Sequence, residues 1–356
     1  MEALDQLKDF KKILDKELEI FLRVKINEAE KVSPTAKELV EHIADLTLRG
    51  GKRIRPALLY YSFLAHDGKD GKDILRAAMA IEMSEAYLLI HDDIMDDNTL
   101  RRGGTTIHHS YQKSFENSFP DWDNPRHFGI SMGILAGDIA CALSNELIAT
   151  ANFQPEYKTR ALAELNKVYA TEGYGQAMEI MASVENSVSK KEVSFIHQLK
   201  TVPYTFDGPV KIGAILAGTN EKDLAKLSQY TMPLGAAYQI QDDILCMFGS
   251  EEKLGKPVTS DLKEGKKTLL ILDALEKATP KQKEIIELNL GNKKVTIAGL
   301  NSVRKVIEET GSLAESKKLA TSLVQKAIDA LDQMNLKKEG KDFLLGIAKY
   351  MVKREY

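Results

Sequence analysis

Cysteine, tryptophan and proline are all scarce in this chain, at two, one and ten residues among 356. Cys141 and Cys246 are too few for a disulfide framework and lack the spacing of a zinc site. An excess of one charge is missing too. Lysine and arginine number 49 against 52 acidic residues, a formal net charge of −3, so no global basic field points to nucleic acid. No uncharged apolar run approaches the ~18 residues that span a bilayer. The opening MEALDQLKDFKKILDKELEIF mixes both charges and lacks the apolar stretch of a signal peptide. These absences point to a reduced, cytoplasmic, soluble protein without stable membrane insertion. With 43% hydrophobic residues it can still bury one large core.

Strand-like alternation is also rare, and helical periodicity dominates. Ser33-Pro34 predicts an N-cap with proline at the first helical position. Asp73 is the expected cap of a long helix carrying Ile74, Ala77, Ala78, Ile81, Leu88 and Leu89. Further helices are expected from near Ile130, over roughly 157–181, and through Leu224, Leu227, Leu234 and Tyr238 with Pro233 as a bend. Pro203 and Pro209 predict a kink or break in an apolar stretch. Residues 111–128 read as a loop, a solvated insertion pinned by Trp122. With no repeat or interdomain linker, the expectation is one all-α domain over residues 1–356, a helical bundle around a central cavity.

Against that background two aspartate clusters stand out. HDDIMDD carries Asp92, Asp93, Asp96 and Asp97, and QDDIL carries Asp242 and Asp243, each at the end of an apolar helix. At ~3.6 residues per turn, Asp92 and Asp96 share a face with Asp93 beside them. Like charges so placed repel, and the pattern calls for an external cation. Hard oxygen ligands with open positions suit Mg²⁺, whose shell is completed by water and phosphate.

Cations accompany the clusters. Lys52, Arg53 and Arg55 follow a Gly-Gly pair, Arg101 and Arg102 follow the first cluster, and Lys200 precedes Thr201. Lys256, Lys266 and Lys267 lie past the second cluster. Arginine forks take phosphate oxygens in pairs and lysine adds a point charge. Any one of these features is ordinary; five in register are not.

GGKRIRP, HDDIMDDNTLRRG, GQAME, KT, YQIQDDIL and GKPVTSDLKEGKKT, in this order, resemble the trans-isoprenyl diphosphate synthases over roughly 37–268. The resemblance implies an all-helical fold with the aspartate motifs facing across a cavity, and a homodimer. The implied reaction joins isopentenyl diphosphate head to tail to an allylic diphosphate. Asp92, Asp96 and Asp242 are the expected direct Mg²⁺ ligands, with Asp93 and Asp243 as supports or further ligands. The resemblance also implies three Mg²⁺ ions per active site when diphosphate is bound. Lys52, Arg55 and Arg102 are expected to hold isopentenyl diphosphate. Arg101, Lys200, Thr201, Gln239, Lys256 and Lys266 are expected around the allylic diphosphate, with Gln176 and Glu179 on a neighbouring helix. Asp92, Asp96, Asp242, Lys200 and Arg101 form the catalytic set.

Two departures from the family pattern matter. The second motif ends at Cys246 in place of a last aspartate. Glu85 stands where the family has His or Gln against isopentenyl diphosphate, and a carboxylate there repels a diphosphate unless protonated or paired with arginine. Tyr87, five residues before Asp92, is the expected floor of the tail pocket, as in the archaeal type of geranylgeranyl diphosphate synthase. Farnesyl or longer products are the alternatives. A terpene cyclase lacks the GGKRIRP and RRG cations, and a non-catalytic partner subunit typically loses an aspartate motif.

Overall fold

The computed structural model describes residues 3–121, 123–185, 188–250 and 258–353. Lys256 and Trp122 therefore lie outside the described residues. The chain opens with α1 (Ala3–Glu30), which lays Leu7, Phe10, Leu14, Leu18 and Phe21 onto the core. Next, α2 (Pro34–Leu48) starts as expected, Ser33 Oγ accepting the Ala36 N–H at 3.0 Å. After α3 (Ile54–Ala65) comes the central α4 (Lys72–Met95). Residues on every side of α4 are buried, among them Ile74, Ala77, Met79, Ala80, Ile81 and Met83. A helix apolar all round belongs in the middle of a bundle.

The N-cap of α4 is Gly71, and Asp73 sits in its first turn instead. Its carboxylate is taken by a tertiary partner, accepting the Asn152 backbone N–H at 2.7 Å. The expected loop over 111–128 is mostly helical: α5 (Ile107–Ser118) and α6 (Pro125–Ala149) leave only a short connection. Phe115 packs on Phe119 and Phe128 with ring centroids 5.1 and 4.3 Å apart, which is i, i+4 helical spacing in the first pair. α6 is long and apolar enough to cross a membrane by length and composition, and packs along α4 and α5.

α7 (Pro155–Val184) and α8 (Lys190–Lys200) follow. The two prolines act as expected: a π-helical turn over Pro203–Asp207 separates α8 from α9 (Gly208–Leu216). α10 (Glu221–Phe248) runs on through Pro233 to the second aspartate pair. Shorter helices follow: α11 (Ser260–Glu264), α12 (Leu269–Lys277), α13 (Pro280–Asn289), α14 (Ile297–Glu309), α15 (Ser312–Asp332) and α16 (Lys338–Lys353). The one sheet among the described residues is a hairpin of β1 (Leu100–Arg101) and β2 (Gly104–Thr105). One hydrophobic core runs through the helices, and α4, α7, α8 and α10 enclose a cavity within it.

Candidate active site

A cavity of about 250 Å³ opens between α4, α7, α8 and α10. Asp92 enters it from α4 and Asp242 from α10, so the two clusters face one space. Leu88, Leu89, Tyr204 and Tyr238 supply apolar wall, and Lys200, Lys266 and Arg55 supply cations. Burial and then the Asp92 charge push the Asp96 carboxyl up to about 6. Anions so crowded need a cation nearby.

The first cluster divides its labour. Asp93 is buried and accepts a hydrogen bond from Arg101 Nε at 2.8 Å, while Arg101 also lies 3.4 Å from Asp92. Arg101 is aimed by the hairpin. Its turn residues Arg102 and Gly103 both have positive φ, 51° and 75°, as a two-residue turn of this twist requires. Arg49 closes the hairpin from outside, donating to the carbonyls of Arg101 at 3.2 Å and Thr105 at 3.0 Å. Consecutive arginines thus part company: Arg101 turns to Asp92 and Asp93, whereas Arg102 reaches Glu85 at 2.8 Å.

Lys200, at the end of α8, lies between Glu179 of α7 and Asp92, 3.5 Å from the latter. Burial raises the Glu179 carboxyl, but Lys200 and Lys266 overcome this and hold it below its ordinary value. The helices approach closely because position 175 is glycine; a Cβ there would meet the Lys200 backbone nitrogen at 2.5 Å. Thr201 donates to Gln239 Oε1 at 2.7 Å, and Gln239 Nε2 donates to Asp243 at 2.9 Å. Asp243 is buried, which pushes its carboxyl well up, and it sits behind Asp242. Lys266 faces the cavity and pairs with Glu264 at 3.0 Å, while Lys267 donates to backbone carbonyls of α7 and its C-cap. Gln176 is buried on α7, away from the cavity lining.

The GGKRIRP segment also splits. Arg53, at φ 56°, is buried and bonded to Asp15 at 2.7 Å, to the Thr47 carbonyl at 2.8 Å and to Glu82. It is a scaffold residue. Arg55 lies flat against Tyr204, 4.2 Å from the ring centroid, and 3.4 Å from Glu85. Lys52 sits further out, 3.3 Å from the Tyr350 hydroxyl.

The chain matches the polyprenyl synthetase family over residues 36–308. It belongs to that family. A geranylgeranyl diphosphate synthase of Sulfolobus acidocaldarius is 32% identical over 311 residues, 86% of this chain and 88% of the relative. One from Methanosarcina mazei is 30% identical over 357 residues, covering 100% of this chain and 99% of the relative. Among solved structures, a geranylgeranyl pyrophosphate synthase of Corynebacterium glutamicum, complexed with isoprenyl diphosphate and magnesium, superposes with TM-score 0.91. It is 28% identical, over 98% of this chain and 99% of that one. This polyprenyl synthetase is accordingly a prenyltransferase that makes short-chain prenyl diphosphates.

Its carboxylates suit a divalent ion that keeps open positions. Among the described residues no three acidic, histidine or cysteine side chains converge on one point. Asp92 and Asp96 come from one helix and Asp242 from another, so other oxygens must complete any shell, the habit of Mg²⁺. Sequence reasoning missed Glu172, a cavity carboxyl that burial pushes up to about 7. It lies four residues before Gln176 and seven before Glu179, so helical spacing could have found it. Tyr204 and His197 carried no such signal. Tyr87 is not among the side chains lining the cavity; its ring packs edge-on against Tyr169 and His91, with centroids 5.2 and 5.1 Å away.

Proposed function

We propose that this prenyltransferase condenses isopentenyl diphosphate head to tail with allylic diphosphates, in the presence of Mg²⁺, and that its main product is geranylgeranyl diphosphate. One observation carries the reading: two separate cation sets flank one cavity that carries both aspartate motifs. Arg101, Lys200 and Lys266 gather around Asp92, Asp96 and Asp242, while Arg55 and Arg102 gather around Glu85. Two sets of cations imply two diphosphates.

Asp92, Asp96 and Asp242 would hold the metal, with Asp93 and Asp243 keeping Arg101 and Gln239 in place behind them. When bound, Mg²⁺ neutralises the charge that gathers on the leaving diphosphate, and three ions fit this reading. Lys200, Arg101 and Lys266 stabilise the same charge as the allylic C–O bond breaks, from positions fixed before reaction. Thr201 and Gln239 orient one another across α8 and α10. Leu88, Leu89, Tyr204 and Tyr238 keep water from the allylic cation. The double bond of isopentenyl diphosphate, held by Arg55, Arg102 and Lys52, attacks that carbon. The proton then lost passes to the departing diphosphate, so no side-chain base is assigned.

Lys256 belongs to the allylic set in this reading, and a homodimer in the cytoplasm completes it. Ile134 and Leu135 of α6, 45% and 49% exposed, offer an apolar face for a second copy. The test is purified protein with Mg²⁺, isopentenyl diphosphate and each allylic primer in turn, with products resolved by length. Geranylgeranyl diphosphate as the main product supports the reading. No product from any primer overturns it.

A further inference from the structure

Glu85 holds the place of a ligand. Its Oε1 lies 2.8 Å from Arg102 and 3.4 Å from Arg55, so one carboxylate oxygen is shared by two guanidinium groups. The arginines arrive from different elements, Arg55 from the first turn of α3 and Arg102 from the hairpin tip. One turn earlier on α4, Glu82 bonds to Arg53 and stays 3.6 Å from Arg102, so the scaffold pair behind is satisfied without Glu85. Tyr204 covers the other face of Arg55. A guanidinium fork accepts carboxylate and phosphate oxygens alike, and arginine does not shed its charge.

We propose that Glu85 is a specificity-determining residue: an internal anion that occupies the second diphosphate subsite and that isopentenyl diphosphate must displace from Arg55 and Arg102. This rests on the two-diphosphate reading above. In the empty site the carboxylate gives two largely buried cations a partner. As diphosphate enters, the same carboxylate opposes it, since like charges at a few ångströms repel strongly where water is scarce. Affinity for the second substrate is thereby lowered, and the allylic subsite, built on Lys200, Arg101 and Lys266, is untouched.

Glu85→Gln keeps the shape and an acceptor oxygen but removes the charge. Its KM for isopentenyl diphosphate is expected to fall about tenfold, about 1.4 kcal/mol, while kcat moves by less than about twofold and the KM for the allylic primer holds. Calorimetry with isopentenyl diphosphate in the absence of Mg²⁺ reads the same tenfold gain directly. It does so whether or not condensation occurs, which separates this inference from the proposed reaction. Should Glu85→Gln not fold, Glu85→Asp keeps the charge but withdraws it by one methylene, and a few-fold lower dissociation constant is expected. An unchanged or raised constant in the folded variant overturns the inference, because Glu85 would then be a support for the arginines and not their competitor.

Discussion

The hydroxyl of Tyr169 on α7 lies 2.7 Å from Ser84 Oγ on α4. Ser144 Oγ of α6 is 2.8 Å from the same hydroxyl and 2.9 Å from Ser84, and both serines donate to the Ala80 carbonyl at 2.8 Å. Three helices are thus tied together eight residues before Asp92, which at 1.5 Å per residue is about 12 Å deeper than the metal face. Past Leu88 only a chamber of about 10 Å³ remains, lined by Ile81, Ser84, Leu165, Tyr169 and Tyr204 among others.

Product length follows from that knot. Tyr169 closes the pocket and Tyr87 braces it from the side. Tyr169→Ala is expected to lengthen the product by one isoprene unit or more, and Tyr87→Ala to lengthen it less. Chromatography of the dephosphorylated products decides the matter. An unchanged profile in both variants would remove the two tyrosines as the floor. Tyr169→Phe should keep the profile and cost about 1 kcal/mol of stability, because the serines still bond one another.

The three cations of GGKRIRP should separate cleanly in unfolding experiments. Arg53→Leu leaves Glu82 and part of the Asp15 partnership without a counter-charge, and breaking a buried pair costs about 3–5 kcal/mol. Lys52→Ala gives up only an exposed contact with Tyr350 and should cost about 0.5–1 kcal/mol. Urea midpoints of the two variants are the measurement, and equal losses would refute the division.

Much of this was legible in the sequence because helix-end chemistry is local. The Ser33 cap, the break at Pro203 and Pro209, and the facing of Asp92 and Asp242 all follow from spacing. What was hidden depends on partners far along the chain. Asp73 has a cap residue's chemistry but is used by Asn152, and Arg53 looks like a phosphate ligand but faces Asp15 and Glu82. Residues 111–128, rich in polar groups and proline, read as loop because the stack of Phe115 on Phe128 forms only once α5 and α6 meet. The hairpin that parts Arg101 from Arg102 has strands of two residues, too short for any alternation to show.

Glu172 predicts a pH effect with a definite sign. Burial raises its carboxyl to about 7, helped by Asp92 and Glu179 and opposed by Lys200. An acid whose folded pKa lies above its unfolded value binds a proton in the fold that the unfolded chain has already released. The metal-free protein therefore loses stability as pH rises from the ordinary carboxylate range through about 7. Glu172→Gln should remove part of that decline, about 1–2 kcal/mol after allowance for solvent near the side chain. Urea unfolding at about pH 5 and about pH 8 tests it, and parallel declines in both proteins would refute it.

The metal face gives the sharpest contrast between neighbours. Asp92→Ala and Asp242→Ala should each lower turnover about a thousandfold or more, since charge stabilisation at the leaving group is the main burden of this reaction. Their effect on the metal-free fold should be small or favourable, because Asp92 crowds Asp96 and helps raise its carboxyl. Asp93→Ala differs in kind. It strips buried Arg101 of its closest partner and should cost about 3 kcal/mol. Thermal melts with and without Mg²⁺ plus inorganic pyrophosphate separate these roles. Ligand at a hundredfold its dissociation constant stabilises by about 2.7 kcal/mol, so the wild-type melting temperature should rise on addition. Asp92→Ala should melt near the wild-type apo temperature and fail to respond, whereas Asp93→Ala should start lower and still respond. Normal turnover by Asp92→Ala would end the metal reading. A full Mg²⁺ response in that variant would move the ion to Asp96 and Asp242.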